Sequence, residues 1–253
     1  MRTNPFLVTL FISLVLLSGC VTETTGVKKK EVNREDVLEK LINLGVGYLR
    51  QRDYSRAKEN LRKALEIDPK SSFAHTTFGV LFQLEGEHRL AEEHFKNAFK
   101  YDSDFAQARN NYGAFLFSRG RFAEAVTQLE AASNDRFYPK RPQVFENLGV
   151  SYLRLGDETL AENAFIRAVE LNFSQARALL ELADIRFGQQ NFTESRRLYL
   201  RHEALSQQSA RSVWLCVRLA RIFDNQDQEA SCSLVLKNIF PASEEYKQYQ
   251  NSR

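Results

Sequence analysis

Apolar residues along this chain recur at helical spacing, three and four positions apart, in short stretches separated by brief polar turns; alternating strand-like runs bounded by turn residues are few. Between Leu41 and Pro69 the pattern reads Leu41, Leu44, Gly45 and Tyr48, then Ala57, Leu61 and Ala64, which predicts two consecutive helices. The arrangement repeats. Alignment on the small residue of the first helix gives Gly45, Gly79, Gly113, Gly149, Ala183 and Arg218, spaced 34, 34, 36, 34 and 35 residues apart. A small residue of the second helix recurs as Ala57, Ala91, Ala125, Ala161, Ser195 and Ala230, where the two helices of a hairpin are expected to cross closely. A bulky residue follows as Leu61, Phe95, Leu129, Phe165, Tyr199 and Leu234, and Ala64, Ala98, Ala132 and Ala168 complete four of the units.

A 34-residue period with these residues at fixed offsets is the signature of the tetratricopeptide repeat (TPR). One unit cannot bury its own apolar face, so neighbours must stack on it. The predicted fold is therefore all-α, a TPR superhelical solenoid of about six helix-turn-helix repeats over residues 36–253, closed by a C-terminal capping helix. Between the third and fourth units the run Asn134 to Pro142 exceeds the period by two residues and holds two prolines, which predicts a protruding loop or a change of twist with helices stopping on either side. The fifth unit carries His202 where alanine is usual; the sixth carries Arg218 in the glycine place, with Trp214 in the place the consensus gives to tryptophan. Beyond Pro241, Tyr246 and Tyr249 at helical spacing predict the capping helix.

The N-terminus has a different character. Met1, Arg2 and Thr3 precede an apolar run from Phe6 to Leu17, shorter than the roughly 20 residues a membrane-crossing helix needs. The run ends at Leu17-Ser18-Gly19-Cys20, which resembles the lipobox of bacterial lipoproteins; an ordinary secretory signal with an incidental cysteine is the alternative. In the lipobox reading residues 1–19 are a signal peptide that is removed, and Cys20 carries the acyl chains of a stable N-terminal lipid anchor. Val21 follows Cys20 in place of the aspartate that retains such proteins at the inner membrane, so the expected site is the outer membrane, with the TPR domain in the periplasm. Residues 20–35 form the lipidated end and a polar linker whose Lys28, Lys29 and Lys30 either meet anionic head groups or are simply solvated.

Composition narrows the chemistry. The 253 residues include 35 basic and 32 acidic side chains interspersed along the chain, a net charge of +3, and this balance gives no case for a nucleic-acid partner. Glycine-rich phosphate loops, nucleophile elbows and paired-histidine zinc helices are missing from the sequence, so neither an enzyme, a small-molecule substrate, a cofactor nor a metal is expected. Of the four histidines, His88 and His94 lie six residues apart, on different faces of a helix, and His75 falls at a packing position. Cys216 and Cys232, one in each helix of the sixth unit, are either a disulfide or two inert buried thiols.

What remains is a surface for binding protein. In a TPR solenoid the first helix of each pair lines the concave face, with the second, fifth, ninth, twelfth and thirteenth positions exposed. These positions give Ile42, Val46, Leu49 and Arg50 in the first unit; Val80, Gln83 and Leu84 in the second; and Asn110, Ala114 and Phe117 in the third. The fourth contributes Glu146, Val150, Leu153 and Arg154, and the fifth Leu180, Asp184 and Gln189. A groove this apolar predicts an extended or helical partner segment lying along it.

The lipobox from Leu17 to Cys20, the six repeats, and the runs Asn110 to Gly113, Tyr138 to Arg141 and Val144 to Gly149 together resemble the type IV pilus biogenesis lipoproteins called PilF or PilW. Ala210 to Ser212, Arg218 to Ala220 and Pro241 to Tyr249 extend the likeness to the last repeat. The resemblance implies a pilotin that binds subunits of the type IV pilus secretin and supports their outer-membrane localisation and multimerisation, on which twitching motility depends. Cys216 and Cys232 are not part of that family pattern. The alternative is a TPR lipoprotein scaffold for other envelope complexes, such as those that recruit peptidoglycan hydrolases.

Overall fold

A computed structural model describes residues 33–252, α-helices joined by turns and short loops. Six helical hairpins follow one another: α1 (Arg34–Arg50) with α2 (Tyr54–Ile67), α3 (Ser72–Glu85) with α4 (His88–Tyr101), and α5 (Ala106–Ser118) with α6 (Phe122–Ser133). Then come α7 (Arg141–Leu155) with α8 (Glu158–Leu171), α9 (Ala176–Gly188) with α10 (Phe192–Glu203), and α11 (Ala210–Ile222) with α12 (Gln226–Ile239). A short α13 (Glu244–Asn251) ends the array.

Each hairpin turns on one residue in the left-handed region: Arg52, Gly86, Gly120, Gly156, Gln190 and Asp224. The next residue starts the second helix, and where it is Asp53, Asp157, Asn191 or Asn225 its side chain accepts the N–H three residues on, satisfying one of the helix's orphan donors. Seven residues before each turn lies the crossing point, which sets how closely the helices pack. A Cβ on Gly149 would stand 2.5 Å from the ring of Phe165, a fully buried side chain, and Gly45, Gly79 and Gly113 face Leu61, Phe95 and Leu129 in the same way. Glycine is required there by space, because any side chain would overlap the bulky residue that fills the hairpin.

The left-handed turns also correct the register of the last unit. They are spaced 34, 34, 36, 34 and 34 residues apart, which puts the sixth crossing at Val217, not Arg218. Val217 is buried, and Ser233, sixteen residues later, is buried in the bulky residue's place. The larger side chain has moved to the first helix, and this exchange of volume hides the repeat from pattern matching. Ala230 and Leu234, expected inside, are accordingly exposed, Leu234 by 58%. Trp214 sits one position past the consensus tryptophan place and packs edge-on against Tyr249 of the capping helix, ring centroids 6.3 Å apart. Cys216 and Cys232, each one residue before a crossing position, are joined by a disulfide with Cα atoms 6.2 Å apart.

The two-residue insertion between the third and fourth repeats forms a surface loop that presents Phe137 to solvent, 95% exposed. Its prolines differ in role. Pro142 lies within the first turn of α7, where its missing N–H leaves no helical bond unmade, so it starts a helix and does not stop one. His202 is buried and hydrogen-bonds through Nδ1 to the Ala176 carbonyl at 2.8 Å, tying the fifth repeat's second helix to the start of its first. Among the described residues no helix is long and apolar enough to cross a membrane.

Candidate binding groove

The first helices of successive hairpins pack on one another, α1 with α3, α3 with α5, α5 with α7 and α7 with α9, whereas among the described residues no two second helices pack to the same extent. The first helices are therefore the inner, concave layer and the second helices the outer one. This close inner stacking decides which expected groove residues face solvent. Position five of the unit falls into the seam between neighbouring inner helices. Ile42, Asn110 and Leu180 are consequently buried there, a correction to their expected exposure, and only Glu146 of that set is partly open. Leu49 and Val150 are likewise buried. Gln189 is a further correction: it caps α9, and its amide joins Glu162 and Arg186 on the outer side (2.8 and 2.6 Å).

The solvent-facing floor is made instead by Val46, Val80, Gln83, Ala114, Phe117 and Leu153, with Arg50, Leu84 and Arg154 exposed on its rim. Leu84 is 52% exposed, high for a leucine with no role in the core. At the centre of the groove three inner helices converge on a cavity of about 170 Å³ lined by Ala114, Phe117, Leu129, Asn147, Val150 and Arg177. Asn147 gives a hydrogen bond to the buried Asn110 at 3.2 Å, which fixes its amide in the lining. Arg177 is exposed, and among the described residues no carboxylate lies within 4.0 Å of it. Burial pushes the Glu146 carboxyl above the ordinary range, while the charge of Arg177 and the Ala178 N–H act to lower it.

Toward the last repeats the groove changes from apolar to ionic. Arg211 forks onto Glu181 with two bonds of 2.7 Å and reaches Asp184 at 2.8 Å, and Arg218 meets Asp184 at 2.6 Å. The guanidinium of Arg218 lies over Phe187 (4.6 Å) and Trp214 (5.7 Å), which accounts for its buried Nε lacking an oxygen partner. Burial raises the pKa of Asp184, but the bonds and charges of Arg211 and Arg218 outweigh it and leave the carboxyl below the usual range. Asp184 is thus spent within the fold. The lattice locks the fifth repeat to the sixth.

In the second repeat His75 and His94 face each other across the hairpin, Nδ1 to Nδ1 at 3.1 Å. His75 Nε2 lies 3.1 Å from the Pro69 carbonyl, which can only accept, so that nitrogen carries the proton and His75 Nδ1 accepts from His94. Burial holds both imidazoles neutral, His94 pushed down to about 4 with help from the neighbouring His75. Among the described residues no cluster of three or more His, Cys, Asp or Glu could hold a metal ion.

Arg177 and Asn147 were absent from the sequence expectation, although Arg177 stands at the second position of its unit, one of the exposed places. Cys20 lies outside the described residues.

Residues 39–71, 79–142 and 146–210 match the tetratricopeptide repeat family. The chain is 39% identical over 241 residues to the type IV pilus assembly protein PilF of Pseudomonas aeruginosa, covering 95% of this chain and 96% of that one. The solved structure of that organism's PilF superposes with a TM-score of 0.85 at 40% identity, over 87% of this chain and 99% of the other. PilW, a widely conserved type IV pilus biogenesis factor, superposes with a TM-score of 0.71 at 25% identity, over 85% and 98%.

Proposed function

The chain belongs to the PilF/PilW family of TPR proteins of type IV pilus biogenesis, and from that membership we propose that it is a pilotin, an outer-membrane lipoprotein that captures secretin subunits and promotes their assembly into the ring. The observation that carries this reading is the groove itself. An apolar inner floor from Val46 to Leu153, continuous over four repeats and rimmed by Arg50, Leu84 and Arg154, offers a single partner segment a long, partly dry track.

The mechanism needs no bond made or broken. Acylated Cys20, after removal of residues 1–19, holds the protein at the bilayer, and residues 20–35 tether the TPR domain in the periplasm. A secretin subunit held in the groove has its sticky surface covered and its local concentration near the membrane raised, which favours ring closure by mass action.

The test separates anchor from groove. Cys20→Ala should leave the TPR domain folded and secretin capture intact while heat-resistant secretin multimers disappear from the outer membrane. Leu153→Glu, on the open floor, should weaken co-purification of the secretin without changing the helical circular dichroism. Normal multimers with Cys20→Ala would overturn the anchoring role, and undiminished capture by Leu153→Glu would move the partner off this face.

A further inference from the structure

The cavity at the centre of the groove has features that a generic apolar track does not explain. Its volume of about 170 Å³ is too small for a whole ligand of the usual pocket size, roughly 300 Å³ or more. It matches a single six-carbon group, since an apolar cavity of about 150 Å³ takes up benzene. Its lining is mostly apolar, Ala114, Phe117, Leu129 and Val150, with two polar members, Asn147 and Arg177. Phe117 is itself braced by Phe122, ring centroids 5.2 Å apart, so the wall is preformed.

Arg177 is the informative residue. Arg211 and Arg218 are consumed by Glu181 and Asp184, and Arg50 and Arg154, exposed on the rim, do not line the cavity. Among the described residues Arg177 has no such partner within ion-pair distance, and Glu146 acts on it only at longer range. A guanidinium held beside an apolar hole presents donors to a carboxylate that arrives with the group filling the hole. Asn147 has committed one amide hydrogen to Asn110 and keeps a carbonyl oxygen able to accept a peptide N–H.

We propose that this cavity is the anchor subsite of the groove, taking one leucine- to phenylalanine-sized side chain of an extended segment whose adjacent carboxylate pairs with Arg177. The proposal rests on the reading of the groove as a partner-binding track and names the chemistry of the segment: apolar and acidic, side by side. The occupant is peptide, because the hole accepts one side chain and the groove continues on both sides of it through Val80 and Leu153.

The test uses the full chain in a non-ionic detergent and two small probes, 3-phenylpropionate and its neutral isostere 3-phenylpropanamide, titrated by NMR. The carboxylate should bind about five- to tenfold more tightly than the amide, as a partly screened charge-assisted hydrogen bond predicts. Shifts should centre on Phe117, Asn147 and Arg177. Arg177→Gln should equalise the two probes, and Ala114→Leu, a substitution at an exposed site facing the hole, should weaken both. Equal affinity of the two probes for the unaltered protein, or shifts centred elsewhere, would overturn the subsite whatever the variants do. Secretin is not needed for this readout. Selective probe binding combined with failure of the unaltered protein to capture secretin would therefore reject the function proposed above and leave the subsite standing.

Discussion

Three glycines that a helix-propensity scale treats alike should respond to alanine in opposite ways. Gly47 and Gly45 lie two residues apart in α1, and Gly149 occupies the crossing of the fourth hairpin. In each helix interior alanine is intrinsically favoured by about 1 kcal/mol. A Cβ at Gly47 would meet nothing within 4 Å, so Gly47→Ala should realise that gain in full. At Gly45 the Cβ would lie 2.8 Å from Cγ and Cδ2 of Leu61, a buried side chain that can move only by disturbing the first hairpin. Overpacking of this kind costs about 1–3 kcal/mol, so Gly45→Ala should be neutral to destabilising by about 2 kcal/mol. At Gly149 three atoms of the Phe165 ring fall within 2.7 Å, and a rigid buried ring cannot bend aside. Gly149→Ala should therefore be the worst of the three, near the upper end of that range after the propensity gain is subtracted. Urea denaturation followed by circular dichroism gives the order directly, as midpoints at unchanged slope. If Gly149→Ala were as stable as Gly47→Ala, steric closure of the crossing would not be what selects glycine there.

The disulfide closes a loop with a sequence separation of 16, for which chain entropy predicts about 3 kcal/mol of stabilisation; Cys216→Ser with Cys232→Ser, or a reductant, should lower the unfolding midpoint accordingly, and no change would mean that the sixth repeat is held without it. His75 and His94 are neutral when folded but bind protons near pH 6.5 when unfolded, so their contribution is fully present above about pH 6.5 and is lost as pH falls toward 4. For the partly solvated His94 the loss is on the order of 2 kcal/mol, and His94→Phe should flatten stability measured across that window. Arg211→Met should cost about 3–5 kcal/mol because it strands Glu181, only 5% exposed, without its forked partner, while Arg211→Met combined with Glu181→Leu should recover much of the loss.

The repeat architecture was legible because close helix crossings demand the same small and bulky residues at each turn of the array, and Gly45/Leu61 through Ala183/Tyr199 state that demand openly. The sixth unit escaped by one residue because Val217 and Ser233 meet the same volume requirement with sizes exchanged, and a pattern built on residue type cannot see a conserved sum. The groove was read in outline and misread at Ile42, Asn110 and Leu180, since their burial depends on how tightly neighbouring repeats stack, a property of the superhelix and not of one unit. The His75–His94 pair and the meeting of Asn147 with Arg177 join different helices, so no periodicity within a helix announces them. Arg177 alone could have been found, by applying the second-position rule to the fifth unit.

The staple between Cys216 and Cys232 has a mechanical consequence. It shares the last repeats with the Arg211–Glu181–Asp184–Arg218 lattice and the Trp214–Tyr249 clasp of the capping helix, whereas the first hairpin has neither covalent link nor buried ion lattice of its own. Load applied through the N-terminus would therefore peel the array from α1 and α2 inward, one hairpin at a time. The cross-linked last hairpin would be the final one to yield, so a pull on α1 would shorten the groove progressively from one side while its far end kept its shape.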